Sequence, residues 1–160
     1  MSEEVIEIPF DISPFGQPQN ADVILQSSDD EKFYVRKMLL ILTSEVFANM
    51  FTLPQGTHED GEDLELPVVR IGESKVVLLH LLLWCDPRCT PSWKMENIEL
   101  ALGAADKYNM PGVMARISQV LTSNNDLVAA DPVSLYAIGI KYGFPEGRKG
   151  DTKLEVGGSS

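Results

Sequence analysis

Residues 21–51 decide the fold and read ADVILQSSDDEKFYVRKMLLILTSEVFANMF. Asp22–Gln26 is a β-branched apolar run, and Lys32–Arg36 alternates Phe33 and Val35 with polar residues. A short polar segment separates the two runs. This pattern predicts a β-hairpin, because alternation places one face of each strand toward a core.

Two short helices are predicted directly behind this hairpin. Met38–Leu42 is apolar on every side, which predicts a short buried helix. Ser44 is suited to cap the next helix, whose apolar residues share one face at Val46, Phe47, Met50 and Phe51. The two segments should form an αα-hairpin.

Downstream residues predict a third strand and a central helix. Leu66–Ile71 has strand character, and Pro67 near its start suits an edge strand. Ser74 can cap a helix from Lys75 to about Cys85, which is apolar except at Lys75 and His80. A helix with so little polar surface must be central in the fold.

The remaining helices are predicted from periodicity and proline placement. Residues 96–108 and a segment that begins at Pro111 each have one apolar face. Asp131-Pro132 should open a last helix to about Tyr142, with Leu135 and Ile138 on its apolar face. Residues 122–130 lack a clear period and are interpreted as a linker.

Composition and charge restrict the classes of function. The chain has 160 residues, 44% of them hydrophobic, and a formal net charge of −11, which residues 1–73 carry with fifteen acids and four bases. Clustered cations are needed to bind nucleic acid or anionic membranes, so the charge argues against both partners. The longest apolar run, Val76–Cys85, is half the length that spans a bilayer, and Ser2-Glu3-Glu4 is unlike a signal peptide, which predicts an intracellular protein.

No catalytic, metal or cofactor site is predicted. His80 lies among leucines and is interpreted as a core residue, and Cys85 and Cys89 as buried or partly buried thiols. His58 belongs to an acidic loop whose carboxylates lack the spacing of a calcium-binding loop, at Glu59, Asp60, Glu62 and Asp63. Without a nucleophile beside a base, the chain is expected to bind proteins and not a small-molecule substrate.

Three ordered motifs resemble the BTB/POZ domain. They are Ala21–Leu25, Phe33–Leu40 and Ser44–Phe51, and the later Ala104–Tyr108 agrees with the same family. The resemblance covers residues 21–124 and is strongest to fungal members, which share a stretch similar to residues 50–55 and a helix similar to residues 131–138.

The resemblance implies an α+β (α/β) fold and a binding function. It implies a small three-stranded sheet flanked by about five short helices, with one extra C-terminal helix. Family members form homodimers or recruit partners, so the implied interface and charged-pocket residues are Asp22, Arg36, Lys37, Met38 and Leu39. An ion pair between Asp22 and Lys37 would be partly buried there, or a simple pair at the hairpin edge.

A second role implied by the family is substrate adaptor for a cullin-based ubiquitin ligase. Many adaptors carry a hydrophobic-x-Glu motif after the second short helix, and here Leu53-Pro54-Gln55 has Gln in place of Glu. The candidate cullin contacts are therefore Leu53 and Gln55.

The expected organisation has four parts. A flexible N-terminal arm spans residues 1–20, and the BTB/POZ domain spans residues 21–124. A linker and the start of a truncated helical extension cover residues 125–145, and a disordered tail covers residues 146–160.

Overall fold

A computed structural model describes residues 10–52 and 66–144. Their elements, in chain order, are β1 (Val23–Gln26), β2 (Lys32–Val35), α1 (Lys37–Thr43), α2 (Glu45–Thr52), β3 (Val68–Arg70), α3 (Lys75–Cys85), α4 (Met95–Lys107), α5 (Pro111–Ser123), α6 (Asn125–Ala130) and α7 (Pro132–Tyr142). This mixed α+β arrangement confirms the predicted fold class.

The three strands form one sheet with β1 in the centre. β2 pairs antiparallel with β1 and places Val35 opposite Val23, which confirms the hairpin. β3 lies parallel on the other side, with Val68 opposite Ile24. Pro67 precedes this edge strand, and its carbonyl accepts a hydrogen bond from the Ile24 N–H at 2.9 Å. The edge position predicted from Pro67 is therefore confirmed.

Helix α3 is the centre of the helical layer. Ser74 caps it through a hydrogen bond from the Val77 N–H, and six of its eleven residues are buried. It packs against α4, where the buried residues include Ala101, Ala104 and Ala105. These small side chains let the two helices approach closely. The burial of α3 confirms the predicted central helix.

Residues 1–20 were expected to be a flexible arm, but the structure shows residues 10–20 held against the sheet. Phe15 is only 3% exposed and packs against Phe33, with ring centroids 6.4 Å apart. Its carbonyl accepts a hydrogen bond from the Tyr34 N–H at 2.7 Å, on the outer edge of β2. One buried aromatic side chain holds this segment on the sheet, and such an anchor produces no sequence period.

The expected linker also differs from the structure. Asn124 accepts hydrogen bonds from the N–H groups of Asp126 and Leu127, and this cap starts the six-residue helix α6. Asp131 then caps α7 through the Ser134 N–H, as predicted, and Ile138 is buried. The interpretation of residues 122–130 as a linker was wrong, because a side-chain cap supports a helix too short to show a period. The tail at residues 146–160 lies outside the described residues.

Candidate protein-binding surface

Helix α1 presents apolar side chains to solvent. Met38 is 58% exposed and Leu42 is 77% exposed, one helical turn apart, and Val46 at the start of α2 is 37% exposed. Of the residues in α1, only Leu40 is buried. Met38, Leu42 and Val46 are called the α1 surface below. The prediction of a short buried helix over Met38–Leu42 was therefore wrong, because α1 packs on one side only.

Asp22 holds the start of α1. Its Oδ1 accepts a hydrogen bond from the Lys37 backbone N–H at 2.6 Å, whereas Arg36, the N-cap residue, provides no side-chain cap. The Lys37 ammonium lies 5.7 Å from the centroid of the Phe51 ring. Among the described residues, Asp22 and Lys37 form neither the expected partly buried ion pair nor a pair at the hairpin edge; the exposed Asp22 carboxylate binds a backbone N–H instead. The Asp22 side chain fixes where α1 begins.

A groove of about 570 Å³ lies beside the α1 surface. Its walls come from α1, from the end of β2, from the segment before β1 and from the loop after α3. The lining side chains include Phe15, Tyr34, Arg36, Met38, Leu39, Leu42, Pro87 and Arg88. The groove is mainly apolar with basic groups on its rim, so it extends the α1 surface into a larger contact area.

An ion pair fixes the rim of this groove. The Arg88 guanidinium donates to both carboxylate oxygens of Asp86, at 3.0 Å and 2.7 Å. The Asp86 side chain is 2% exposed, whereas Arg88 is 76% exposed. Hydrogen bonds from Arg88 lower the pKa of Asp86 against the opposing effect of burial. The bidentate geometry holds Arg88 at the mouth of the groove.

The other groups considered from the sequence lie in the core or beside it. Burial raises the pKa of the Cys85 thiol to about 12 and also raises the pKa of Cys89. Burial lowers the pKa of His80, but this side chain is only half-buried, so its interpretation as a core residue was wrong. Cys85 is buried and Cys89 is partly buried, which confirms their interpretation as buried or partly buried thiols.

The described residues contain neither a candidate metal site nor a candidate membrane-spanning helix. Among residues 10–52 and 66–144, no cluster of His, Cys, Asp or Glu side chains could hold a metal ion. Across the same two ranges, no helix is long and apolar enough to cross a membrane.

The structure brings together some of the predicted site residues. Arg36, Met38 and Leu39 line the groove, whereas Asp22 and Lys37 do not. The candidate cullin contacts Leu53 and Gln55 lie outside the described residues, as do His58 and the acidic loop. The sequence reasoning missed several surface and groove residues: Phe15, Tyr34, Leu42, Val46, Pro87 and Arg88. The spacing of Met38 and Leu42 was the one available signal, because it places both opposite Leu40 on the helix.

Comparison with known proteins gives one family. The family model "BTB/POZ domain" matches residues 13–125. Among solved structures, the BTB domain of zebrafish PATZ1 is 20% identical, with a TM-score of 0.48, over 65% of this chain and 77% of that one. No curated protein matches the chain, so the expected likeness to fungal members stays a prediction.

Proposed function

This chain belongs to the BTB/POZ family, whose domains are protein–protein interaction modules, and on that premise we propose that it forms a homodimer through the α1 surface and its groove. The proposed role is non-enzymatic. In this role Met38 and Leu39 contact the second copy, and Arg36 lies at the edge of the contact. Asp22 and Lys37 position α1 for it.

The exposure of α1 is the observation that carries this proposal. Met38 and Leu42 are long apolar side chains that remain largely in water on a helix without a polar outer face. Burying each one completely in an interface would gain at most about 1.5–3 kcal/mol, because both are already partly covered. The adjoining groove supplies further apolar area, and specific interfaces bury about 1,200–2,000 Å² in total. A two-fold dimer would place this surface against its own copy.

The test is the solution mass of the full chain as a function of concentration. We expect multi-angle light scattering to give twice 17.7 kDa for the wild type. The double variant Met38→Glu, Leu42→Glu should give the monomer mass, because dimer formation would bury four added charges. A wild type that stays monomeric up to about 100 μM would overturn the proposal, because its dissociation constant would then be too high for a stable dimer.

A matched control separates this surface from other exposed apolar groups. Tyr136 and Ile140 on α7 also lie one turn apart, and they are 59% and 58% exposed. The variant Tyr136→Glu, Ile140→Glu introduces the same charges at similar exposure and should remain a dimer. Dissociation of this control, with persistence of the α1 variant as a dimer, would assign the interface to α7 and contradict the proposal.

The cullin adaptor role stays a prediction from the sequence. Its test is a pull-down with a cullin N-terminal region, in which the variant Leu53→Asp, Gln55→Ala should lose binding. The intracellular location is likewise a prediction.

A further inference from the structure

A second and larger groove lies on another part of the molecule. Helix α7 lies beside α3 and α4 and leaves a groove of about 960 Å³ between them. This volume is at the upper end of the range of about 300–1,000 Å³ seen for ligand clefts. None of its lining residues also lines the groove beside α1. The two grooves are therefore separate surfaces, which we call the α7 groove and the α1 groove.

The α7 groove combines apolar side chains with polar groups, which supply almost half of its lining. α3 contributes Val76 and Val77, α4 contributes Leu100 and Ala104, and α7 contributes Ala137.

Gly103 keeps part of this groove open. A Cβ atom at Gly103 would have Tyr142 Oη as its nearest neighbour, at 3.9 Å. This is ordinary van der Waals spacing, so a Cβ atom would fit at Gly103, and the lack of a side chain leaves that space to the groove.

The rim of the α7 groove carries an excess of negative charge. Glu96 and Glu99 lie on α4 and are both exposed. Neither takes part in an ion pair or hydrogen bond among the described residues. Glu73 also lines the groove, but it accepts hydrogen bonds from Lys107 and from Tyr108 Oη. Lys141 supplies one positive charge near the Tyr142 ring. The two free carboxylates therefore favour a cationic occupant.

Helix α7 also carries an exposed apolar stripe outside the groove. Val133, Tyr136 and Ile140 are 78%, 59% and 58% exposed. At 3.6 residues per turn, this stripe lies on the outer side of α7, away from the α7 residues that line the groove: Ala137, Ile138, Lys141 and Tyr142. The inner side of the helix is occupied by Ile138 and its neighbours in the core. The stripe is therefore a surface separate from the α7 groove.

We propose that the α7 groove binds an amphipathic helical segment of a partner protein, with an apolar face flanked by Lys or Arg. In helix-in-groove recognition the apolar face of a helix lies on apolar side chains, here Val76, Val77 and Leu100, and the acidic rim selects the flanking charges. A second copy of this groove would be a poor occupant, since it would place Glu96 and Glu99 against the same acids. The proposal does not depend on self-association through α1.

The experiment is selection of peptides by the immobilised full chain, followed by affinity measurement. A library of randomised 14-residue peptides biased toward helix is used, and enriched peptides are measured by fluorescence anisotropy. We expect enriched sequences with apolar residues at helical spacing and flanking Lys or Arg. Glu99→Lys should weaken their binding about 5- to 10-fold, and Glu96→Lys with Glu99→Lys should weaken it further.

Two controls make the result specific to this groove. Asp106→Lys changes the charge on the same helix by the same amount, but Asp106 does not line the groove, so affinity should change less than about twofold. The α1 variant Met38→Glu, Leu42→Glu should bind the peptides as the wild type does. Failure of the dimer proposal would thus leave the peptide result unchanged.

Three outcomes would overturn the proposal. The selection could enrich no basic amphipathic sequences, or the enriched peptides could bind the Glu96→Lys, Glu99→Lys variant as tightly as the wild type. Loss of peptide binding in the α1 variant would place the binding site on the α1 surface instead. Circular dichroism of each variant verifies that the fold is retained.

Discussion

Helices α1 and α3 have nearly the same kind of sequence and opposite environments. Both are almost entirely apolar, yet α3 buries six of its eleven residues and α1 buries only Leu40. Helix α3 lies between α4 and the rest of the core, whereas α1 packs against α2, α3 and α5 on one side only. The apolar residues of α3 therefore form part of the core, whereas most of those of α1 remain available for contact with a partner.

The comparison shows what an all-apolar helix means. A helix without a polar face must bury itself within its own chain or against a partner. The central position of α3 satisfies the first condition, and its Trp84 and Cys85 extend the core to the end of the helix. Met38 and Leu42 are exposed in α1, so only a partner can bury them. The predictions below test this difference, from the largest expected effect to the smallest.

The same substitution in the two helices should have very different costs. Leu81 of α3 is fully buried, so Leu81→Ala should lower the free energy of unfolding by about 2–5 kcal/mol. Leu42→Ala in α1 should change it by less than about 0.5 kcal/mol in dilute solution. Urea denaturation measured by circular dichroism tests both. Similar costs for the two variants would contradict the contrast between the helices.

Ser44 attaches the α1–α2 hairpin to the core. Its hydroxyl donates to the Tyr108 carbonyl and accepts from the Phe47 N–H, and the residue is buried. Ser44→Ala should cost about 2–3 kcal/mol, because it removes a helix cap and leaves buried groups unpaired. Ser74→Ala at the start of α3 removes a longer, half-buried bond and should cost only about 0.5–1 kcal/mol. A smaller loss at Ser44 than at Ser74 would contradict this assignment.

Asp86 connects the end of α3 to the α1 groove, and its contribution should depend on pH. The pKa of Asp86 is lowered in the folded protein by hydrogen bonds from Arg88. Its stabilising effect is therefore present above the unfolded pKa of about 3.9 and is lost as pH falls through the folded pKa. At pH 7, Asp86→Asn should cost about 1 kcal/mol relative to wild type. Unfolding at several pH values should show this gap closing below about pH 4, and a constant gap would contradict the ion pair.

The smallest effect concerns the stability of the α1 variant. At low concentration, Met38→Glu, Leu42→Glu should unfold within about 0.5 kcal/mol of the wild type, since both side chains are exposed. The apparent stability of the wild type should rise with protein concentration, because dimer formation stabilises the folded state. The variant should show no such rise. The melting temperatures of the wild type and the variant, measured at two protein concentrations tenfold apart, test this difference.

The sequence was informative where a repeating pattern determines structure. The alternation at Phe33 and Val35 predicted β2, and the run after Ser74, apolar except at Lys75 and His80, predicted α3. It was uninformative where one contact decides the outcome. Phe15 holds the segment before β1 through a single buried ring, and Asn124 starts α6 through a single cap.

The candidate site was predictable only in part. Met38 and Leu39 were identified through family resemblance, but the exposure of Met38 depends on which side of α1 meets the core. The composition of α1 does not show which side of the helix faces the core. The groove wall at Pro87 and Arg88 comes from a loop far along the chain, and only the fold brings it to α1.

The most direct test compares two methionines by hydroxyl-radical footprinting over a range of protein concentrations. Met38 is 58% exposed in α1, and Met110 is fully buried in the core, so Met110 serves as an internal reference. We predict that oxidation of Met38 falls as the measured mass rises from monomer to dimer, while oxidation of Met110 stays low throughout. Unchanged oxidation of Met38 across a doubling of mass would show that the dimer forms elsewhere and would contradict the assignment of α1 as the contact surface.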